Sequence, residues 1–75
     1  MWLLDANMDV HVLPTLEEFG VRADAATRRG WQALSNGDLV AAAVSAGFTC
    51  LLTQDRLFAE SAALALQQFP SFAVV

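Results

Sequence analysis

The sequence predicts a small α/β domain of three layers: a mainly parallel four-stranded sheet in the order 2-1-3-4, with helices on both faces. Two observations lead to this reading. Short apolar runs alternate along the chain with segments of helical periodicity, and such alternation specifies a parallel sheet with right-handed crossovers. The runs Met1-Trp2-Leu3-Leu4 and Phe48-Thr49-Cys50-Leu51-Leu52 are almost unbroken in apolar residues, as suits strands covered on both faces.

The first strand is read over Met1–Leu4 and ends at Asp5. A polar turn over Ala6–Asp9 follows. Val10, Leu13, Leu16 and Phe19 then recur at near-helical spacing, with Asp9 as the expected N-cap and Gly20 as the residue beyond the helix end. Pro14 removes one ladder bond if it falls inside the helix. The helix is therefore expected to have an irregular first turn or to start near Pro14.

Val21–Ala25 reads as a second, weaker strand, and Ala26–Leu34 as a loop. The segment Ser35-Asn36-Gly37-Asp38 has the form of a capping box directly before the apolar run Leu39–Val44, which predicts a helix closed by Gly47. The third strand follows at Phe48–Leu52. A third helix is expected from about Arg56 to Gln68, broken by Phe69-Pro70-Ser71, before a fourth strand at Phe72–Val75. The chain is read as one domain, and its strand-like end suggests a C-terminal truncation.

At 75 residues, the chain buries only about 60–65% of the surface its unfolded form exposes. Domains this small usually lean on disulfides, a metal or a partner. Cys50 is the only cysteine, so no disulfide forms within the chain, and a buried thiol in a reducing compartment is expected. The composition is 56% hydrophobic with a mean hydropathy of +0.45, and a homo-oligomer interface is the simplest place for that apolar surplus. No run reaches the ~18 apolar residues of a membrane span. There is no basic flank of a signal peptide, so a cytoplasmic location is expected. The net charge is −4, with four arginines and no lysine. A general nucleic-acid-coating surface is disfavoured, and RNA binding would need a local patch or a bound cation.

The candidate chemistry lies in three aspartates. Ligands of parallel α/β sheets bind at the C-terminal strand edge, where the strand order reverses. Asp5 closes the first strand, Asp55 follows the third, and Asp38 lies in the first turn of the second helix. All three are expected on that edge. Converging carboxylates repel each other until a divalent cation relieves them, and hard oxygen ligands select Mg²⁺ or Mn²⁺. Each aspartate also sits where a helix begins, where an acid is worth about 0.3–1 kcal/mol through the helix dipole. Helix capping therefore stands beside metal binding as the reading for each.

The segments Leu3-Leu4-Asp5-Ala6-Asn7, Phe19-Gly20-Val21, Leu34-Ser35-Asn36-Gly37-Asp38-Leu39-Val40 and Leu51-Leu52-Thr53-Gln54-Asp55-Arg56-Leu57-Phe58 together resemble the short PIN-like proteins of the DUF5615 family. These are relatives of PIN-domain and toxin-type ribonucleases. The resemblance spans nearly the whole chain and implies a PIN-like fold with an acidic Mg²⁺ or Mn²⁺ site. It implies Asp5 as the first metal-binding and catalytic acid, Asn7 beside it, and Asp55 as the acid after the third strand. The family pattern places an aspartate at the position of Asn36 and a second acid at the position of Leu57. Here Asp38 is offset by two residues as the substitute, with Asn36 left to position substrate or water. The resemblance thus implies a metal-dependent endoribonuclease, the toxin of a toxin–antitoxin pair with an antitoxin protein as partner. The alternative is a catalytically degenerate PIN-like module that binds or regulates as a homo-oligomer.

Arg28, Arg29 and Trp31 form a basic-aromatic cluster with three open readings: RNA contact by stacking and phosphate binding, an interface loop, or simple packing. His11 stands alone, without a second His or Cys at ligand spacing. The serines have no paired base, and the glycines fit turns rather than a phosphate loop.

Overall fold

In a computed structural model covering residues 1–75, four strands form one sheet in the order β2-β1-β3-β4. They are β1 (Trp2–Leu4), β2 (Ala23–Ala25), β3 (Cys50–Leu52) and β4 (Ala73–Val74). All three pairings are parallel, with Leu3 opposite Asp24 on one side and Leu51 on the other, and Leu51 opposite Val74. The expected fold class and strand order are therefore present. The helices are α1 (Val12–Glu18), α2 (Asn36–Ser45), α3 (Phe58–Ser61) and α4 (Ala63–Gln68), with a 3₁₀ turn at Thr27–Arg29.

The strand order fixes the layers. β1 leads through α1 to β2 on one side, whereas β2 leads through α2 to β3 on the other. Right-handed crossovers then put α1 and α2 on opposite faces. α2 packs on α4, and the main core joins Leu3 and Leu51 of the sheet to Leu39, Val40, Ala43, Phe58 and Ala62 of the helices, with Phe48 and Phe72. Of these, Phe58, Leu3, Leu51 and Val40 are the largest fully buried side chains, together with Leu4, each worth about 1.5–3 kcal/mol of transfer free energy. On the α1 side, Leu4 and Ala25 are buried, but α1 itself contributes no buried residue. One face is thus closed by three helices and the other is thinly covered by one.

Three local expectations are revised. Asp9 is not the N-cap of α1. That position falls to His11, while Asp9 closes a turn by accepting the His11 N–H at 2.9 Å and the ring Nδ1 at 2.8 Å. These contacts, the backbone bond first, hold the Asp9 carboxyl below its ordinary value. Pro14 sits in the first turn of α1, where an N–H has no intrahelical partner to lose. The helix expected over Arg56–Gln68 is two short helices that meet at Ala62, where φ is −103°. The strands are also shorter than their apolar runs. The Gly20 and Gly47 helix stops are as expected, with φ of +78° and +92°, a region open to glycine at little cost. Ser35 caps α2, its hydroxyl accepting the Asp38 N–H at 3.3 Å.

Part of the outer edge of β2 is satisfied from within the chain. Arg22 and Ala26 exchange backbone bonds with β1, so the Ala25 N–H points away from the sheet. The Asp24 carboxylate takes it at 2.8 Å. Arg29 Nε donates to the other Asp24 oxygen at 2.8 Å, and its guanidinium lies 5.5 Å from the Trp31 ring centroid and 4.7 Å from that of Phe48. Trp31 meets Phe48 edge-on at 6.2 Å. Partial burial pushes the Asp24 carboxyl up, but the Arg29 and Ala25 bonds and the nearby guanidinium charges outweigh it and hold the group below its ordinary 3.8.

A carboxyl with a depressed folded-state pKa stabilises the fold above its unfolded pKa and loses that contribution as pH falls through the folded value. Asp24→Asn is therefore expected to cost about 1–2 kcal/mol at neutral pH. The gap to the wild type should close below pH 3.8. Urea unfolding at neutral pH and in acid measures this, and a gap that persists in acid would show that Asp24 acts by shape rather than charge.

Candidate functional site

The C-terminal edge of β1 and β3 is the point where the strand order reverses, since β1 runs outward to β2 and β3 outward to β4. Asp5 leaves β1 there and is the one buried charged residue of the chain, 7% exposed. Its backbone N–H is held by the Leu52 carbonyl at 3.0 Å, so the end of β1 is pinned to β3. A buried carboxylate is costly unless donors satisfy it. Asp5 Oδ1 accepts the Ala6 N–H at 2.7 Å, and Oδ2 accepts the Thr53 hydroxyl at 2.7 Å. Both are short, charge-assisted bonds.

Thr53 ties this acid to the next. The same hydroxyl oxygen accepts the Asp55 N–H at 3.0 Å. Asp55 is exposed, and its Oδ1 accepts the Leu57 N–H at 2.9 Å, closing the turn that leads into α3. Thr53, Asp55, Arg56, Val74 and Val75 border a shallow depression of about 260 Å³. Arg56 makes no ion pair within the chain, so a guanidinium stands free beside the Asp55 carboxylate.

Asp38 lies elsewhere. It borders a separate groove of about 630 Å³ between α2 and the α3–α4 pair, with Asn36, Glu60 and Gln68. Its carboxylate makes no hydrogen bond, and its backbone completes the Ser35 cap. Asp5, Asp38 and Asp55 do not stand together as one group of three donors. The Thr53 hydroxyl links the Asp5 carboxylate to the Asp55 backbone, whereas Asp38 and Asn36 lie in the helix layer. Asn7 is exposed in the turn after β1.

No family model, curated protein or solved structure matches this chain.

Thr53 and Arg56 are the site residues that the three-aspartate reading passed over. Thr53 had a signal in Thr53-Gln54-Asp55, since a side chain leaving β3 in step with Asp5 leaving β1 faces the same way. Of the basic-aromatic cluster, Arg29 is engaged by Asp24 and the two rings, and Trp31 packs against the core. Arg28 is exposed, 3.8 Å from Asp24. His11 is 90% exposed and paired only with Asp9. Cys50 is buried and free, and burial pushes its thiol up, which makes it a poor nucleophile.

The donor chemistry suits a hard cation. Each carboxylate oxygen has two lone pairs, so an oxygen that accepts one protein bond can still ligate. Mg²⁺ and Mn²⁺ bind through as few as one or two carboxylates, with water and phosphate completing the shell. Of the three aspartates, Asp5 and Asp55 are the two that leave the sheet on this edge, one ending β1 and the other following β3.

Proposed function

We propose that the chain is a PIN-like metal-dependent ribonuclease that hydrolyses RNA phosphodiesters, with Mg²⁺ or Mn²⁺ held by Asp5 and Asp55. In this reading it is a cytoplasmic toxin restrained by an antitoxin protein. The observation that supports it best is the buried Asp5 carboxylate at the strand-order reversal, tied through one threonine hydroxyl to the Asp55 backbone. A charge held 7% exposed in a chain of marginal core needs a reason, and catalytic edges of α/β sheets supply one.

Each residue has a separate task. Thr53 holds the Asp5 carboxylate in one orientation. Arg56 offers a guanidinium that can hold a phosphate beside Asp55. Asn7 offers an amide in the turn after β1 to orient water or a phosphate oxygen. A bound divalent cation supplies activated water and neutralises phosphodiester charge.

A second reading has its own observations. Asp38 serves the α2 end, and both Asp5 oxygens are already engaged by the chain. A catalytically degenerate binding module would keep Asp5 as a structural acid joining β1 to the loop after β3.

Mn²⁺ titration followed by thermal melting, beside a single-stranded RNA cleavage assay, separates the two. A ligand that binds only the folded state raises stability by RT ln(1 + [L]/Kd). The nuclease reading expects a rising melting temperature and cleavage that EDTA abolishes. A rise without cleavage supports the binding module. A melting temperature unmoved by millimolar Mn²⁺ removes the metal from the site.

A further inference from the structure

The groove of about 630 Å³ between α2 and the α3–α4 pair has no part in the chemistry proposed for the Asp5 edge. Its floor is made of small residues. A Cβ added at Gly37 of α2 would come within 3.9 Å of the Ala65 Cβ of α4, and Ala62, where α3 and α4 meet, also borders the groove. Leu64 of α4 borders it as well and is 79% exposed. A large apolar side chain thus stands in water beside a floor that leaves room for bulky side chains of a guest.

The charges on this groove say what can cover it. Asp38 and Glu60 border it, both exposed, and neither forms an ion pair within the chain. None of the four arginines lines it. The amino end of α2 opens here with about half a positive charge, so two carboxylates leave the rim net negative. A guest that seats apolar side chains on the floor must therefore carry cations at its flanks. No strand borders the groove, so a guest cannot add by main-chain pairing and is held through side chains. A helix presents an apolar stripe for this purpose at i, i+3, i+4 and i+7. A second copy of the chain does not meet these demands. A twofold axis through the groove would crowd the carboxylates of both copies together, and no α-helix of the chain carries an arginine.

We propose that the groove between α2 and α4, with Leu64 at its apolar contact and Asp38 and Glu60 at its rim, docks a basic amphipathic helix of another protein. The docking stands whether or not the Asp5 edge cleaves RNA.

Fluorescence anisotropy with labelled helical peptides of about 15 residues tests it. The peptides share one leucine stripe and differ only in flanks of Lys and Arg, of Gln, or of Glu. The basic peptide is expected to bind about tenfold or more tighter than the Gln peptide, and the Glu peptide weakest of all. Leu64→Ser should weaken the basic peptide about tenfold or more. Asp38→Asn combined with Glu60→Gln should abolish the preference for basic over neutral flanks. Phe19→Ser and Leu57→Ser, at positions 79% and 61% exposed outside the groove, should leave binding unchanged. Melting curves of every variant confirm that it folds. A basic peptide that binds no tighter than the Glu peptide overturns the proposal. So does binding indifferent to Leu64→Ser, or weakened as much by Phe19→Ser or Leu57→Ser, which would mark general stickiness in place of a docking site.

Discussion

Replacing Phe58 by alanine is expected to remove about 3–5 kcal/mol of folding stability, the range for deleting a buried aromatic ring. Phe58 is fully buried and opens α3, packed in the core with Leu3, Leu51 and Val40. A domain of this size holds roughly 4–11 kcal/mol in total, so the loss removes a large share of it and the variant should melt well below the wild type. Leu57, its neighbour in sequence, is 61% exposed, and Leu57→Ala should stay within about 0.5 kcal/mol of the wild type. Urea denaturation of the pair reads the difference directly. Equal losses would mean that the α3 layer is not packed on the sheet as described.

Asp5→Asn is the second large effect. The amide is isosteric with the carboxylate, and its oxygen can keep the Ala6 N–H bond. Thr53 can then turn its hydroxyl to accept from the amide, so the fold should persist. The negative charge does not. If the edge holds a divalent cation, the variant should lose the Mn²⁺-dependent rise in melting temperature. It should also lose RNA cleavage by roughly 100-fold or more, since such an ion supplies several kcal/mol of transition-state stabilisation. Melting in EDTA serves as the folding control. A variant that folds and cleaves like the wild type would remove Asp5 from the chemistry.

Features set by near neighbours in the chain could be read directly. The α2 segment carries its start in Ser35 and its stop in Gly47, and both act as expected. The parallel sheet follows from alternating segments and crossover handedness, whereas the order 2-1-3-4 rests on taking the first strand as central. The break at Ala62 has no such signal, because Leu57–Leu66 contains no proline or glycine. It arises where Phe58 and Ala62 face the core while α4 packs on α2, a tertiary demand that helix propensity does not encode. The same distinction separates the acids. The sequence places Asp5, Asp38 and Asp55 at the starts or ends of elements. Their lateral separation depends on how the helix layer sits on the sheet, and there Asp38 goes with Glu60 and α4 rather than with Asp5.

The Asp24–Arg29 closure of β2 has a consequence for how copies of the chain can associate. Stacking sheets side by side into an endless ribbon requires two sticky margins on every molecule. At β4 the Ala73 and Val75 amides are spent on β3, which turns the Val74 amide outward, so one margin is open. At β2 one of the two outward amides, that of Ala25, is already occupied by the Asp24 side chain, held in place by an arginine. An incoming strand therefore finds fewer free donors along β2 than the strand's own amides would offer, and ribbon growth from that margin is handicapped.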